Sequence, residues 1–302
     1  MSAAAAGGPA AAPVTPGTPG APGAPGRGRL YRRLAGNRSL LLGGVLAAIF
    51  ALAAVFGPYL APHDPLAMAL DAKFQRPSAQ HWAGTDQFGR DVFSRVLHGA
   101  GTSLLAAVMA EGIALTAGTL IGLASGFIRG RFDLIVQRVI EILMAFPGLL
   151  LAVVIVALLG PGLQNVMIAV GLSGIPSYVR LVRGQVLSAA ENEYVEAARA
   201  LGAGSRRIML GHILPNIFSP VLVVGTLGLA GAIQATAALS YLGMGAQPPE
   251  PVWGTMVAEA QVFIYNAWWL AAAPGLAIAL AVLGFNLFGD GLRDLLDPRT
   301  RR

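Results

Sequence analysis

The sequence predicts an all-α membrane protein with six transmembrane helices, on three observations. The chain of 302 residues is 55% hydrophobic and only 12% charged, whereas soluble proteins carry roughly 25% charged residues. Its apolar residues gather into six runs, each close to the roughly 20 residues that a helix needs to cross the hydrocarbon core. The basic residues between the runs alternate in density, which sets an orientation.

The chain opens with a tail, residues 1–29, that is almost wholly Ala, Gly, Pro, Ser and Thr through residue 26. Its prolines and glycines oppose helix and it has no apolar face to bury, so it is expected to be disordered. It lacks the basic start and apolar centre of a signal peptide. A collar of Arg27, Arg29, Arg32, Arg33 and Arg38 precedes the first apolar run. The remainder, residues 30–302, forms the membrane domain and carries runs at 39–57, 103–124, 139–159, 163–179, 219–239 and 270–288. The fourth is interrupted by Gly171, Gly174 and Pro176, which membrane helices tolerate when neighbours cover the freed backbone groups.

Placing the first collar in the cytoplasm puts 17 of the 21 basic residues on that side and 4 on the other. The positive-inside rule therefore sets both termini in the cytoplasm. The same distribution makes the net charge of +6 a topology signal and excludes nucleic-acid binding. The absence of cysteine excludes disulfides, thiolate chemistry and cysteine metal sites.

The external loop 58–102 contains HWAGTDQFGRDVFSRVLHGAG, residues 81–101. Asp86, Arg90, Asp91 and Arg95 sit at near-helical spacings that suit local ion pairs. An acid–base pair of His81 and Asp86 has no nucleophile, metal cluster or second histidine at a ligand spacing beside it, so a structural or docking role is expected. A tight turn is expected at Gly160–Gly162. The Gln247–Pro251 run reads as extended because each proline disfavours helix in its predecessor. Trp253, Trp268 and Trp269 suit an interfacial belt.

Within the runs, Glu111 costs about 2.5–3.5 kcal/mol if ionised against lipid, so it should face protein or water. Two readings stay open, a pathway-lining carboxylate or a locally paired group near the interface. Arg138 and Glu141, one helical turn apart, suit a structural pair. Gln234 and Asn286 read as interhelical hydrogen-bonding residues, with pathway lining as the second reading.

The longest charged interruption of the second half is 193–216, EYVEAARALGAGSRRIMLGHILPN. Glu193–Leu201 reads as a short amphipathic helix, broken by Gly202 and Gly204. Ser205 can cap a second helix, Arg206–His212, with Pro215 ending it or starting the next span. The result is a knob of two small helices with no membrane task of its own, shaped to press into a partner.

Glu196-Ala197-Ala198, then Gly202, then Leu214-Pro215 resemble the EAA loop of ABC-importer permeases: EAA, three residues, G, nine residues, I-x-L-P, with His212 replacing the isoleucine. Residues 81–101, 240–256 (SYLGMGAQPPEPVWGTM) and 274–299 (PGLAIALAVLGFNLFGDGLRDLLDPR) resemble segments of the dipeptide/oligopeptide/nickel importer permeases, second (C-type) subunit. The resemblance implies a type I ABC importer permease fold in a bacterial cytoplasmic (inner) membrane. It implies a heterodimer with a second permease, two cytoplasmic ATPase subunits and an extracytoplasmic solute-binding protein. It assigns Glu196, Ala197, Ala198, Gly202, Arg206 and Arg207 to the ATPase-coupling loop, with Glu196 facing the ATPase.

The chain itself is not expected to be an enzyme or to bind a cofactor or metal. Its sole lysine, Lys73, is not in a phosphate-binding loop, and Leu172-Ser173-Gly174 is half an ABC signature stranded in an apolar run. ATP and Mg would be used by the partner ATPases. The implied function is half of a translocation pathway for small peptides. The alternative is an ion-coupled secondary transporter or channel, which calls for paired midplane charges and inverted repeats; one carboxylate and no evident repeat are present.

Overall fold

The computed structural model describes residues 37–296; the tail, four collar arginines and the last basic residues lie outside them. Ten α-helices account for most of the described chain, and it contains no strand. α1 is Arg38–Leu60, capped by the Asn37 side chain, which accepts from the Leu40 amide at 3.1 Å. α2 is Val92–Ile128, much longer than the predicted 103–124. The extension follows from Asp91, whose carboxylate accepts from the Ser94 amide at 2.8 Å and starts the helix well before the apolar run. At 37 residues, α2 is about 55 Å long, so it overshoots a core of roughly 30 Å.

The predicted third span is not one helix. α3, Gly130–Met144, and α4, Gly148–Leu159, meet at a bend of 91°. Pro147 stands at the break: it lacks an N–H and keeps Phe146 out of helical geometry. The apolar run 139–159 spans this corner because hydropathy does not register a change of direction. Among the described residues, five helices are long and apolar enough to cross a membrane, or six if the bent pair counts as one span.

A turn at Gly160–Gly162 follows, both glycines at positive φ (+92° and +146°), with the Gly162 amide held by the Met244 carbonyl at 2.9 Å. α5, Leu163–Ala189, continues through Gly171, Gly174 and Pro176 and runs beyond the predicted end at 179. Its glycines and those of α2 explain why it tolerates them: they are packing surfaces. Gly118, Gly122 and Gly126 of α2 face Tyr178, Val182 and Val186 of α5, one pair per turn. A Cβ on Gly118 would lie 2.3 Å from Tyr178 Cβ, and one on Gly122 would lie 2.9 Å from Val182 Cβ. Both series rise together, so the two helices run parallel with backbones in close approach, as small-xxx-small patterns permit.

α6, Glu193–Ala200, and α7, Ser205–Ile208, form the knob. α7 does not end at Pro215. A π-helical turn, Met209–Ile213, carries it into α8, Leu214–Tyr241, so that the chain is helical from 205 to 241. Pro215 sits in the first turn of α8, where its missing N–H costs little. Ser205 is the first residue of α7, and Gly204 occupies the cap position without a side-chain bond.

α9, Trp253–Ala260, and α10, Trp269–Leu296, complete the bundle. α10 packs on α1 and α8, and α8 on α2 and α5. The 247–251 run is non-helical but turns at 248–250 instead of extending. Trp253 and Trp269 are buried, not in an interfacial belt, while Trp268 is exposed. Trp253 Nε1 donates to the Val96 carbonyl at 2.9 Å and Trp269 Nε1 to the Thr85 carbonyl at 3.3 Å. Burying an indole requires such a partner, and a carbonyl in the first turns of α2 and one in the loop before it supply them.

Candidate functional site: a membrane cavity and its knob

Four helices enclose a cavity of about 390 Å³. α2 contributes Ala110, Glu111 and Ala114, α5 contributes Ser173, Ser177 and Tyr178, and α4 and α8 supply small apolar residues. Glu111 is therefore on a cavity wall, facing protein and not lipid. The Tyr178 hydroxyl donates to its carboxylate, and the Val224 carbonyl lies 3.3 Å from that hydroxyl. Gly228 makes room for the pair, since a Cβ there would lie 2.5 Å from Glu111 Oε1. The wall is otherwise apolar, the pattern of a pocket with a few polar groups that set orientation.

Sequence reasoning found Glu111 but missed Tyr178, Ser173, Ser177 and Gly228. The spacing of Ser173 and Ser177, one helical turn, with Tyr178 next to the second, was a usable signal for one polar stripe on α5. Nothing local marks Gly228, whose role depends on what sits across from it. Gln234 is exposed and Asn286 half-buried; neither lines the cavity or makes an interhelical hydrogen bond among the described residues.

The knob stands at one end of α5 and α8. Val195, Ala198, Ile208 and Ile213 are buried in a cluster with Val182, Val186 and Val221, which anchors it to both helices. Ala198 faces inward, whereas Glu196, Ala197, Gly202, Arg206 and Arg207 are exposed. Gly202 has φ +78°; its amide donates to the Arg199 carbonyl at 2.9 Å and the Ala203 amide to the Ala198 carbonyl at 3.0 Å. That pair of bonds is the Schellman motif, which needs a left-handed residue where glycine stands. Leu201 beside it is 88% exposed.

Arg183 of α5 and Asp133 of α3 form a two-bond pair, Nε–Oδ1 and Nη2–Oδ2 both 2.6 Å, supported by Ser125 and Gln137. This bond fixes the bent helix to the core near the knob end. Arg138 and Glu141 form the expected surface pair at 2.9 Å.

At the opposite end, the loop after α1 folds on charge and not on helix. Asp86 accepts from the Phe88 and Arg90 amides at 2.8 and 3.0 Å and from Arg90 Nε at 2.6 Å. Arg90 and Arg95 reach Glu259 of α9 at 3.5 and 3.7 Å. His81 pairs with Asp91 at 2.9 Å, not with Asp86. Arg95 Nη1 also donates to the Pro249 carbonyl at 3.4 Å, and Trp253 Nε1 to that of Val96, so residues of 81–101 and 240–256 hold one another in place.

Residues 118–302 match the family described as binding-protein-dependent transport system inner membrane component. Residues 28–77 match the N-terminal TM domain of oligopeptide transport permease C. The chain is 44% identical to the dipeptide transport system permease protein of Alkalihalophilus pseudofirmus, over 90% of this chain and 89% of that one. It is 44% identical to the probable D,D-dipeptide transport system permease protein of Escherichia coli K12, over 90% and 91%. It is 43% identical to the glutathione transport system permease protein of Escherichia coli O6:K15:H31, over 90% of each. The family match over residues 118–302 and a likeness over 90% of the chain, on a bundle of membrane helices, lead to one conclusion: the chain belongs to the family of binding-protein-dependent transport system inner membrane components.

Proposed function

We propose that this chain is one of two permease subunits in an ATP-driven importer of small peptides. The Glu111–Tyr178 cavity is its half of the pathway. The knob faces the cytoplasm, as do both termini, and an ATPase subunit receives it there; a second ATPase serves the partner permease. A solute-binding protein delivers peptide to the opposite face. The observation that carries the reading is mechanical. α5 and the helical stretch 205–241 each run from the cavity wall to the knob and are cemented there by one apolar cluster.

From Ile208 to Gly228 the helical rise is about 30 Å, and packed helices transmit displacement over that length as rigid bodies. Glu196, Ala197, Arg206 and Arg207 form the exposed contact surface, Ala198 seats the knob and Gly202 shapes its turn. Glu111 is oriented by Tyr178 and attracts the cationic amino terminus of a peptide. The relatives' substrates, dipeptides and glutathione, share that ammonium group.

The test is reconstitution in proteoliposomes with the cognate permease, ATPases and binding protein. ATP should drive uptake of a labelled dipeptide, and Glu196→Lys should abolish uptake while leaving membrane insertion intact. Ion-driven uptake by this chain alone, or parental uptake by the Glu196→Lys complex, refutes the proposal.

A further inference from the structure

The transport reading leaves one cluster unused, at the end of the bundle away from the knob. His63, from the loop after α1, meets His81 and Asp91, and their ligand atoms all lie within 4.8 Å of one another. His81 Nδ1 is 2.9 Å from Asp91 Oδ1, and His63 Nδ1 is 3.8 Å from Asp91 Oδ2. The two imidazoles lie against each other with centroids 4.9 Å apart. His63 is too far upstream for any ligand spacing to reveal it; the folded loop alone makes it a companion of His81.

Three features separate this cluster from a simple histidine–carboxylate hydrogen bond. Asp91 is only 2% exposed, yet both nearby arginines are committed to Asp86 and Glu259. Among the described residues no arginine or lysine pairs with it: its carboxylate accepts from the Ser94 amide and hydroxyl at the start of α2 and otherwise faces the two imidazoles, and a buried carboxylate requires compensation. Ser94 then fixes two of the three ligands at once: its hydroxyl donates to Asp91 Oδ2 at 2.7 Å and accepts from the His63 amide at 3.1 Å. Such outer supports orient first ligands in metal sites. Finally, side-chain exposure rises from Asp91 through His81 at 17% to His63 at 42%, which leaves an approach from solvent.

We infer that His63, His81 and Asp91 bind one divalent transition cation of the zinc class. Two imidazoles and one carboxylate suit such an ion, with a fourth position open to water. Zinc at about 2.0–2.1 Å from each ligand sets ligand–ligand edges of about 3.3 Å, which the three side chains reach by shifts of under about 1 Å each. The bound ion pins the loop after α1 to the start of α2.

The experiment titrates the purified full-length chain in lipid nanodiscs with Zn²⁺ alone, in competition with a chromophoric chelator. One saturable site per chain is expected, with thermal stability rising on Zn²⁺ addition. His63→Ala is the decisive variant, because its exposed ring supports no other part of the fold; it should weaken binding at least about tenfold and remove the thermal shift. His98→Ala and His212→Ala should change neither. Absence of a saturable site, or binding that His63→Ala leaves unchanged, overturns the inference. Neither result bears on the peptide-import reading, which the uptake assay tests separately.

Discussion

Gly202 offers a graded test of whether the knob acts through its backbone shape. Its φ of +78° completes the Schellman motif, and a Cβ built there meets nothing within 4 Å. A side chain at this position therefore brings no steric clash within the chain, only the cost of a left-handed backbone, about 1–2 kcal/mol for an ordinary L-residue. Asparagine visits that region more readily, and a β-branched residue least readily. The expected order of damage is Gly202→Asn, then Gly202→Ala, then Gly202→Val. One to two kcal/mol shifts a local two-state equilibrium by a factor of about 5 to 30, so Ala should lower the population of correctly turned knob within that range. The buried anchor of Val195, Ala198 and Ile208 is untouched, so all three variants should insert and assemble. Uptake of labelled dipeptide by reconstituted complexes, together with stimulated ATP hydrolysis, reads the effect. Parental rates for Gly202→Val, or equal losses for all three, would sink the backbone argument; equal losses would mean that any added atom blocks the partner.

Three further outcomes follow from the geometry. Gly118→Ala should lower the unfolding temperature in detergent, at a cost of about 1–3 kcal/mol from overpacking, because its Cβ would meet Tyr178; Gly112→Ala, with nothing within 4 Å, should behave as the parent. Arg90→Met should destabilise by about 3 kcal/mol by leaving buried Asp86 only the more distant Arg95, 3.8 Å away, whereas Arg138→Ala at an exposed pair should cost under about 1 kcal/mol in the same thermal assay. Glu111→Gln keeps the shape of the cavity but removes the carboxylate charge; it should reduce uptake of a free dipeptide and spare its N-acetylated form, measured by competition.

Much of this protein was legible in one dimension. The apolar runs gave away the helices because a membrane helix must satisfy its backbone internally over a set length. The EAA spacing marked the knob, and Glu111 stood out because a carboxylate is costly in an apolar run. These are local or compositional properties, and they survive without neighbours. The ends of the helices were harder: Asp91 starts α2 by capping, and of the two readings of Pro215 the structure takes the start of the next helix, joined to α7 by the π-helical turn. The corner at Pro147 was hidden because the residues on both sides of it are equally apolar.

What only the tertiary structure decided are the partners of residues far apart in the chain. Glu111 meets Tyr178 because Gly118, Gly122 and Gly126 let α2 and α5 run side by side. Trp253 and Trp269 are buried because the distant carbonyls of Val96 and Thr85 receive their indole N–H groups, not because of any feature beside them. His63 joins His81 and Asp91 only after the loop folds back on the start of α2. Composition and periodicity report how each residue meets solvent or lipid along its own helix; which residue it meets across the gap depends on register and close approach, and those are settled when the helices pack.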